Sequence, residues 1–89
     1  MMEWKVIESR MIGRQLQRVP KDIQAKYAIW RNRVRRNGPY LQGGYRFHAL
    51  EGNRRGQKSV RLSLRWRVIF KVFEGELVVE ALELTPHKY

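Results

Sequence analysis

GNRRGQKSVRLSLRWRVIFKVF, from Gly52 to Phe73, carries seven basic residues, no acidic one, and an alternating apolar pattern. Alternation is what a half-buried β-strand requires, because successive side chains point to opposite faces. Val60, Leu62 and Leu64 are therefore expected on one face of a strand, with Ser59, Arg61, Ser63 and Arg65 on the other. In the next strand Val68, Phe70 and Val72 alternate with Arg67, Ile69 and Lys71. A sheet that packs one face on a core and crowds guanidinium groups on the other is suited to polyanions, nucleic acid first among them.

On either side of this ribbon, turn signals delimit further elements. Glu74-Gly75 is expected to turn the chain into a strand at Leu77–Leu84. Upstream, Gly52–Gly56 reads as a turn carrying Arg54 and Arg55, Tyr45–Leu50 as a short strand, and Pro39–Tyr45 as a loop. Before the loop, Ile23, Tyr27, Trp30 and Val34 recur four, three and four residues apart, which puts them on one face of a helix. Asp22 in its first turn and Arg31, Arg33, Arg35 and Arg36 toward its end suit the helix dipole. Asn37-Gly38-Pro39 ends it, and Pro20 is placed at its first position. Ser9 is a candidate N-cap for an earlier helix with Ile12, Leu16 and Val19 at helical spacing, although Gly13 costs it about 1 kcal/mol against Ala. Trp4–Ile7 reads as a first strand. The order is β-α-α-β-β-β: an α+β fold, one small antiparallel sheet covered on one face by an N-terminal helical hairpin, forming a single domain over residues 1–89.

The 89 residues are 43% hydrophobic and 11% aromatic, enough apolar mass for a modest core. A formal net charge of +11 opposes compaction by self-repulsion, and nucleic acid or an acidic protein partner accounts for it. The basic residues fall on predicted strands as well as on a helix, which disfavours a membrane surface, and no apolar run is long enough to span a bilayer. There is no cysteine, so disulfides and thiolate metal sites are excluded. MMEWKVIESR has no apolar signal region, and a cytoplasmic location is expected.

Arg61 and Arg67 are the first candidates for chemistry. They fall on the polar face of neighbouring strands joined by a short turn at Leu64-Arg65, and each offers a permanently charged planar fork that fits phosphate oxygens. Any one arginine alone would be a solvated surface cation; several on one strand pair without acids point to phosphate contact. Arg54, Arg55, Lys58 and Lys71 extend the expected RNA-binding surface. Cleavage of a phosphodiester by the ribose 2′-hydroxyl needs a base, an acid for the leaving oxygen and charge stabilisation at phosphorus. Histidine, tyrosine and arginine supply all three without a metal, which makes His87 and Tyr89 candidates despite their place in the tail. His48 is assigned a structural or surface role, and Glu51 that of a solvated turn residue. Two distant histidines and no thiols make no metal-ligand cluster, and neither a Walker loop nor a GxGxxG motif is present. Trp4, Trp30 and Trp66 are assigned to the core.

LQRVPKDIQAKYAIW (16–30), LEGNRRGQKSVRLSLRWRVIFKV (50–72) and VEALELTPHKY (79–89) together resemble the RelE/HigB-like toxins of bacterial type II toxin–antitoxin systems, in the RelE/ParE superfamily. Leu50, Gly52, Gly56, Ser59, Arg61, Trp66, Arg67 and Phe70 carry the central pattern. The resemblance implies a small sheet with an N-terminal helical hairpin. It also implies metal-independent, cofactor-free cleavage of mRNA in the ribosomal A site, with a cognate antitoxin whose acidic segment covers the toxin and which binds DNA. Arg67 then takes the position that binds the scissile phosphate and Arg61 a basic position on the preceding strand. Arg54 and Arg55 take turn positions that grip RNA, and His87 and Tyr89 those of acid–base and base-stacking elements. A sister branch with the same fold, the ParE-like poisons of DNA gyrase, has no nuclease activity and is the alternative; a plain basic nucleic-acid-binding domain is the third reading.

Overall fold

The structure, a computed structural model, describes residues 3–86. Strand β1 (Lys5–Glu8) leads into α1 (Arg10–Gln15) and α2 (Lys21–Asn37). After a long loop come β2 (His48–Ala49), β3 (Lys58–Arg61), β4 (Trp66–Phe73) and β5 (Val78–Pro86). They form one five-stranded sheet in the order β1-β5-β4-β3-β2. Every neighbouring pair is antiparallel except β1 with β5, which run parallel with both helices and the other three strands between them in sequence.

The helices cover one face only. The four α2 residues that share a stripe, Ile23, Tyr27, Trp30 and Val34, are its four buried ones. They meet Val60, Val68, Phe70, Val79, Ala81 and Leu84 of the sheet, with Trp30 tilted against both Tyr27 and Phe70. Burying a ring system of that size contributes several kcal/mol, so Trp30 is the largest single anchor of helix to sheet. Helix α2 stops where expected: Gly38 takes φ 85°, and a Cβ there would lie 2.9 Å from the Trp4 indole nitrogen.

Ser9 caps α1 by accepting from the Ile12 N–H at 3.1 Å, while its own hydroxyl donates to Leu82 O at 2.6 Å. The helix ends at Gln15 rather than running on through Leu16 to Val19. Gln15 is drawn instead to β5, where its side-chain amide both donates to Leu84 O and accepts from Leu84 N, each at 2.7 Å. Pro20 is the N-cap of α2, one residue before the first helical position predicted for it.

Two strands are shorter than their patterns. β3 ends at Arg61, because Leu62 N–H and Ser63 N–H both donate to Trp66 O and the Ser63 hydroxyl accepts from Arg65 and Trp66. The side chain of Ser63 thus offers the backbone a turn in place of the ladder. Leu64 rides on the turn, 69% exposed, instead of joining Val60 and Leu62 on the apolar face. The predicted strand at 45–50 shrinks to His48–Ala49, since Gly43–Tyr45 forms a 3₁₀ turn and Arg46 adopts a left-handed φ of 47°.

Among the described residues no helix is long and apolar enough to cross a membrane.

Candidate nucleic-acid interface

Cross-strand partners share a face of a sheet, so the register decides which side chains gather on the side away from the helices. Two rows cross that open face. In one, His48 of β2 stands opposite Ser59 of β3, Ser59 opposite Ile69 of β4, and Ile69 opposite Glu83 of β5. In the other, Arg61 stands directly opposite Arg67, and Arg67 opposite Thr85. Glu83 reaches this face through an irregularity: Phe70 pairs with Ala81 but Ile69 pairs with Glu83, leaving Leu82 as the extra residue of a bulge. Were Leu82 paired in regular alternation instead of bulged, Glu83 would turn toward the helices.

Arg61 and Arg67 line one cleft together with Arg46, His48, Ser59 and Trp66. The cleft carries three guanidinium groups, an imidazole and a hydroxyl, and no carboxylate lines it. Both strand arginines are half-buried, and the Nε of Arg67 is shielded from solvent without a hydrogen-bond partner among the described residues. A buried guanidinium nitrogen with no acceptor is costly, and like charges directly opposite each other on a sheet destabilise it. An anion seated between Arg61 and Arg67 relieves both. A phosphate suits best, because each fork can donate two parallel hydrogen bonds to its oxygens.

The other expected RNA-binding residues scatter. Arg54 lies on the same side of the sheet but is engaged: its guanidinium pairs with Glu83 and donates to Gln57 Oε1 at 3.0 Å. Ile69, opposite Glu83 on the face away from the helices, is only 1% exposed. Arg55 sits exposed in the same turn. Lys71 is on the open face opposite Glu80, away from the cleft. Lys58 pairs with Phe70, so it projects on the helix side and not among the arginines; the strand alternation that gathers Ser59 and Arg61 excludes it. His87 and Tyr89 lie outside the described residues; β5 brings the chain to Thr85 and Pro86, opposite Arg67 and Trp66.

Two cleft residues escape a sequence reading, His48 and Arg46. His48 occupies a two-residue strand too short to show alternation, and its place follows from pairing with Ser59. Arg46 turns toward the cleft on a left-handed residue that no glycine or asparagine announces. Among the described residues no three His, Asp or Glu side chains cluster as metal ligands would.

At the far edge of the sheet one arginine, Arg31, is paired with an acid. Glu8 of β1 accepts from the Tyr27 hydroxyl at 2.6 Å and from Arg31 Nη1 at 3.2 Å. Burial, reinforced by the bond to Glu8, raises the Tyr27 phenol above its ordinary titration range.

No protein-family model matches the chain, and no curated protein matches it in sequence. Solved structures do match in shape. RelE in the archaeal RelE–RelB complex of Pyrococcus horikoshii superposes with a TM-score of 0.80 at 25% identity, covering 96% of each chain. YafQ of Escherichia coli gives 0.80 at 14% identity, covering 96% of this chain and 94% of that one. The toxin–antitoxin complex RelBE2 of Mycobacterium tuberculosis gives 0.76 at 16% identity, covering 96% and 99%.

Proposed function

With the chain a RelE-like toxin by fold, in the RelE/ParE superfamily, we propose that it is the toxin of a type II toxin–antitoxin pair and cleaves mRNA on the ribosome. The observation that carries this reading is the cross-strand pair Arg61 and Arg67, in a carboxylate-free cleft that also holds His48. In the proposed reaction the 2′-hydroxyl of one nucleotide attacks the adjoining phosphorus and the 5′-oxygen of the next nucleotide leaves. The products are a 2′,3′-cyclic phosphate, which water opens to a 3′-phosphate, and a free 5′-hydroxyl. Arg61 and Arg67 stabilise the extra negative charge on the pentacoordinate phosphorus. A histidine takes the proton from the attacking hydroxyl or supplies one to the leaving oxygen. His48, which pairs with Ser59 beside the arginines, is one candidate, and His87, which follows Pro86 in the sequence, is the second, with Tyr89 stacking on a base.

A cognate antitoxin is the proposed partner, by analogy with RelE–RelB and RelBE2, both solved as complexes. A surface of net charge +11 favours an acidic antitoxin segment.

The test is to add purified protein to ribosomes translating a defined message and to map the cuts. Cleavage is expected, and Arg67→Ala should slow it by about 10²–10³-fold, the cost of removing one preorganised charge-stabilising donor. Intact message together with trapped DNA breaks in a gyrase assay would replace the nuclease reading with a ParE-like one. Binding of RNA that merely weakens with salt, without toxicity on expression, would leave a plain nucleic-acid-binding domain.

A further inference from the structure

A second cavity opens beside the cleft, at the margin of the sheet where β2 has stopped pairing. β2 covers only Lys58 and Ser59 of β3, so the edge at Arg61 and Leu62 is left to the loop before β2 and to the outer flank of α2. The groove between them has a volume of about 390 Å³ and is lined by Lys26, Ile29 and Arg33 of α2, Tyr45 of the loop, and Arg61 and Leu62. Three of those residues are cations, and none of the lining residues is acidic. The Arg33 guanidinium lies over the Tyr45 ring, 5.7 Å from its centroid. Ile29 is half exposed, although the helix buries its apolar stripe elsewhere.

We propose that this groove binds a single-stranded RNA nucleotide flanking the one whose phosphate sits between Arg61 and Arg67. The inference rests on the nuclease reading for its choice of RNA and deepens it. Arg61 belongs to both cavities, so one guanidinium links a phosphate in the cleft to a neighbour in the groove. A nucleotide matches the lining on three counts. Its phosphate meets Lys26 and Arg61. Its base has a flat face for the Arg33–Tyr45 pair, and its other face rests on Ile29 and Leu62. Aromatic and guanidinium planes hold unstacked bases in this manner with little preference for sequence, because every base has a π-face. The volume accommodates one nucleotide and not a folded helix. An acidic peptide would satisfy the cations but leave the plate of Arg33 on Tyr45 unused.

The experiment uses the full chain and a short single-stranded oligonucleotide carrying 2′-deoxyribose at every position, its single 4-thiouridine included, so that no 2′-hydroxyl is present and binding is measured without turnover. Irradiation should crosslink the thiouridine to the peptide containing Tyr45. Arg33→Ala and Tyr45→Leu should each weaken binding by about tenfold, the size expected for losing one stacked base. The double variant should lose clearly less than the product of the two, since both residues hold the same base. Thermal melting of each variant separates lost binding from lost folding, and Tyr45→Trp, which keeps a ring, should restore affinity. Adducts confined to peptides around Arg67, or full affinity in Arg33→Ala, overturn the groove proposal while leaving the nuclease reading standing. Crosslinking to Tyr45 by a protein that never cuts mRNA retains the groove and removes the nuclease. Stronger protection of Tyr45 by an acidic peptide than by the oligonucleotide overturns it in favour of a protein partner.

Discussion

The two margins of the sheet treat positive charge in opposite ways. At β1, Arg31 is paired with an acid: Glu8 accepts from its Nη1 and from Tyr27, tying the first strand to α2, although Arg31 Nε is buried without a partner among the described residues. At β3, Arg61 faces Arg67 in a cleft that no acid lines, and Arg33, two residues along the helix from Arg31, rests on a tyrosine ring. The same helix therefore spends one arginine on cohesion and presents the next outward. A cation paired within the fold supports stability; a cation opposed by another cation costs stability and is retained for an external anion.

The sharpest way to break this division is to remove one residue from each margin. Arg67→Ala, beside its loss of cleavage, should leave the unfolding free energy unchanged or raise it by up to about 1 kcal/mol, because a like-charge pair disappears. Glu8→Ala should lower it by about 1–3 kcal/mol, since the Tyr27 hydroxyl loses its acceptor, and leave cleavage within about twofold. Urea titration and ribosome cleavage on the same preparations decide. A Glu8 variant as inactive as the Arg67 variant would falsify the division.

A smaller effect concerns alkali. Tyr27 is held neutral in the folded state by burial and by its bond to Glu8, so its folded titration lies above its unfolded one near pH 10. Its stabilising contribution is therefore complete below pH 10 and is lost as pH rises beyond it. Relative to Tyr27→Phe, the native protein should lose about 1.4 kcal/mol per pH unit above pH 10 in denaturant titrations. Equal slopes for the two proteins would mean the phenol is not held.

The smallest effect separates neighbours on one strand. Lys58 and Arg61 are three residues apart on β3 but project from opposite faces. Lys58→Ala should change cleavage by less than about twofold, whereas Arg61→Ala should approach the loss seen at Arg67. A Lys58 variant as impaired as the Arg61 variant would show that RNA wraps around the edge of the sheet.

Much of this was legible in the chain, and the failures share one cause. The four-residue stripe of α2, the Ser9 cap, the stop at Gly38 and the alternation of β4 rest on contacts local in sequence, which periodicity reports directly. Arg61 and Arg67 could be paired because a tight hairpin fixes their register. His48, Arg46 and the bond from Arg54 to Glu83 depend on long-range pairing, on a left-handed residue and on a bulge at Leu82. None of these leaves a periodic trace. Lys58 could have been excluded from the polar face by the same alternation that selected Arg61.

The amide of Gln15 has a consequence for how this protein can assemble. β1 pairs with β5 only as far as Ala81, and beyond that point Ser9 and Gln15 occupy the flank that another strand would fill. Donating to and accepting from the same residue, Leu84, Gln15 imitates a neighbouring peptide group and plugs the ladder. Recruitment of a foreign chain by backbone zippering is thereby steered away from the β5 terminus that adjoins Arg67. Among the described residues the outer side of Lys5–Glu8 offers such an edge on the margin away from the arginines, whereas a polypeptide clasped at His48–Ala49 would border their cleft.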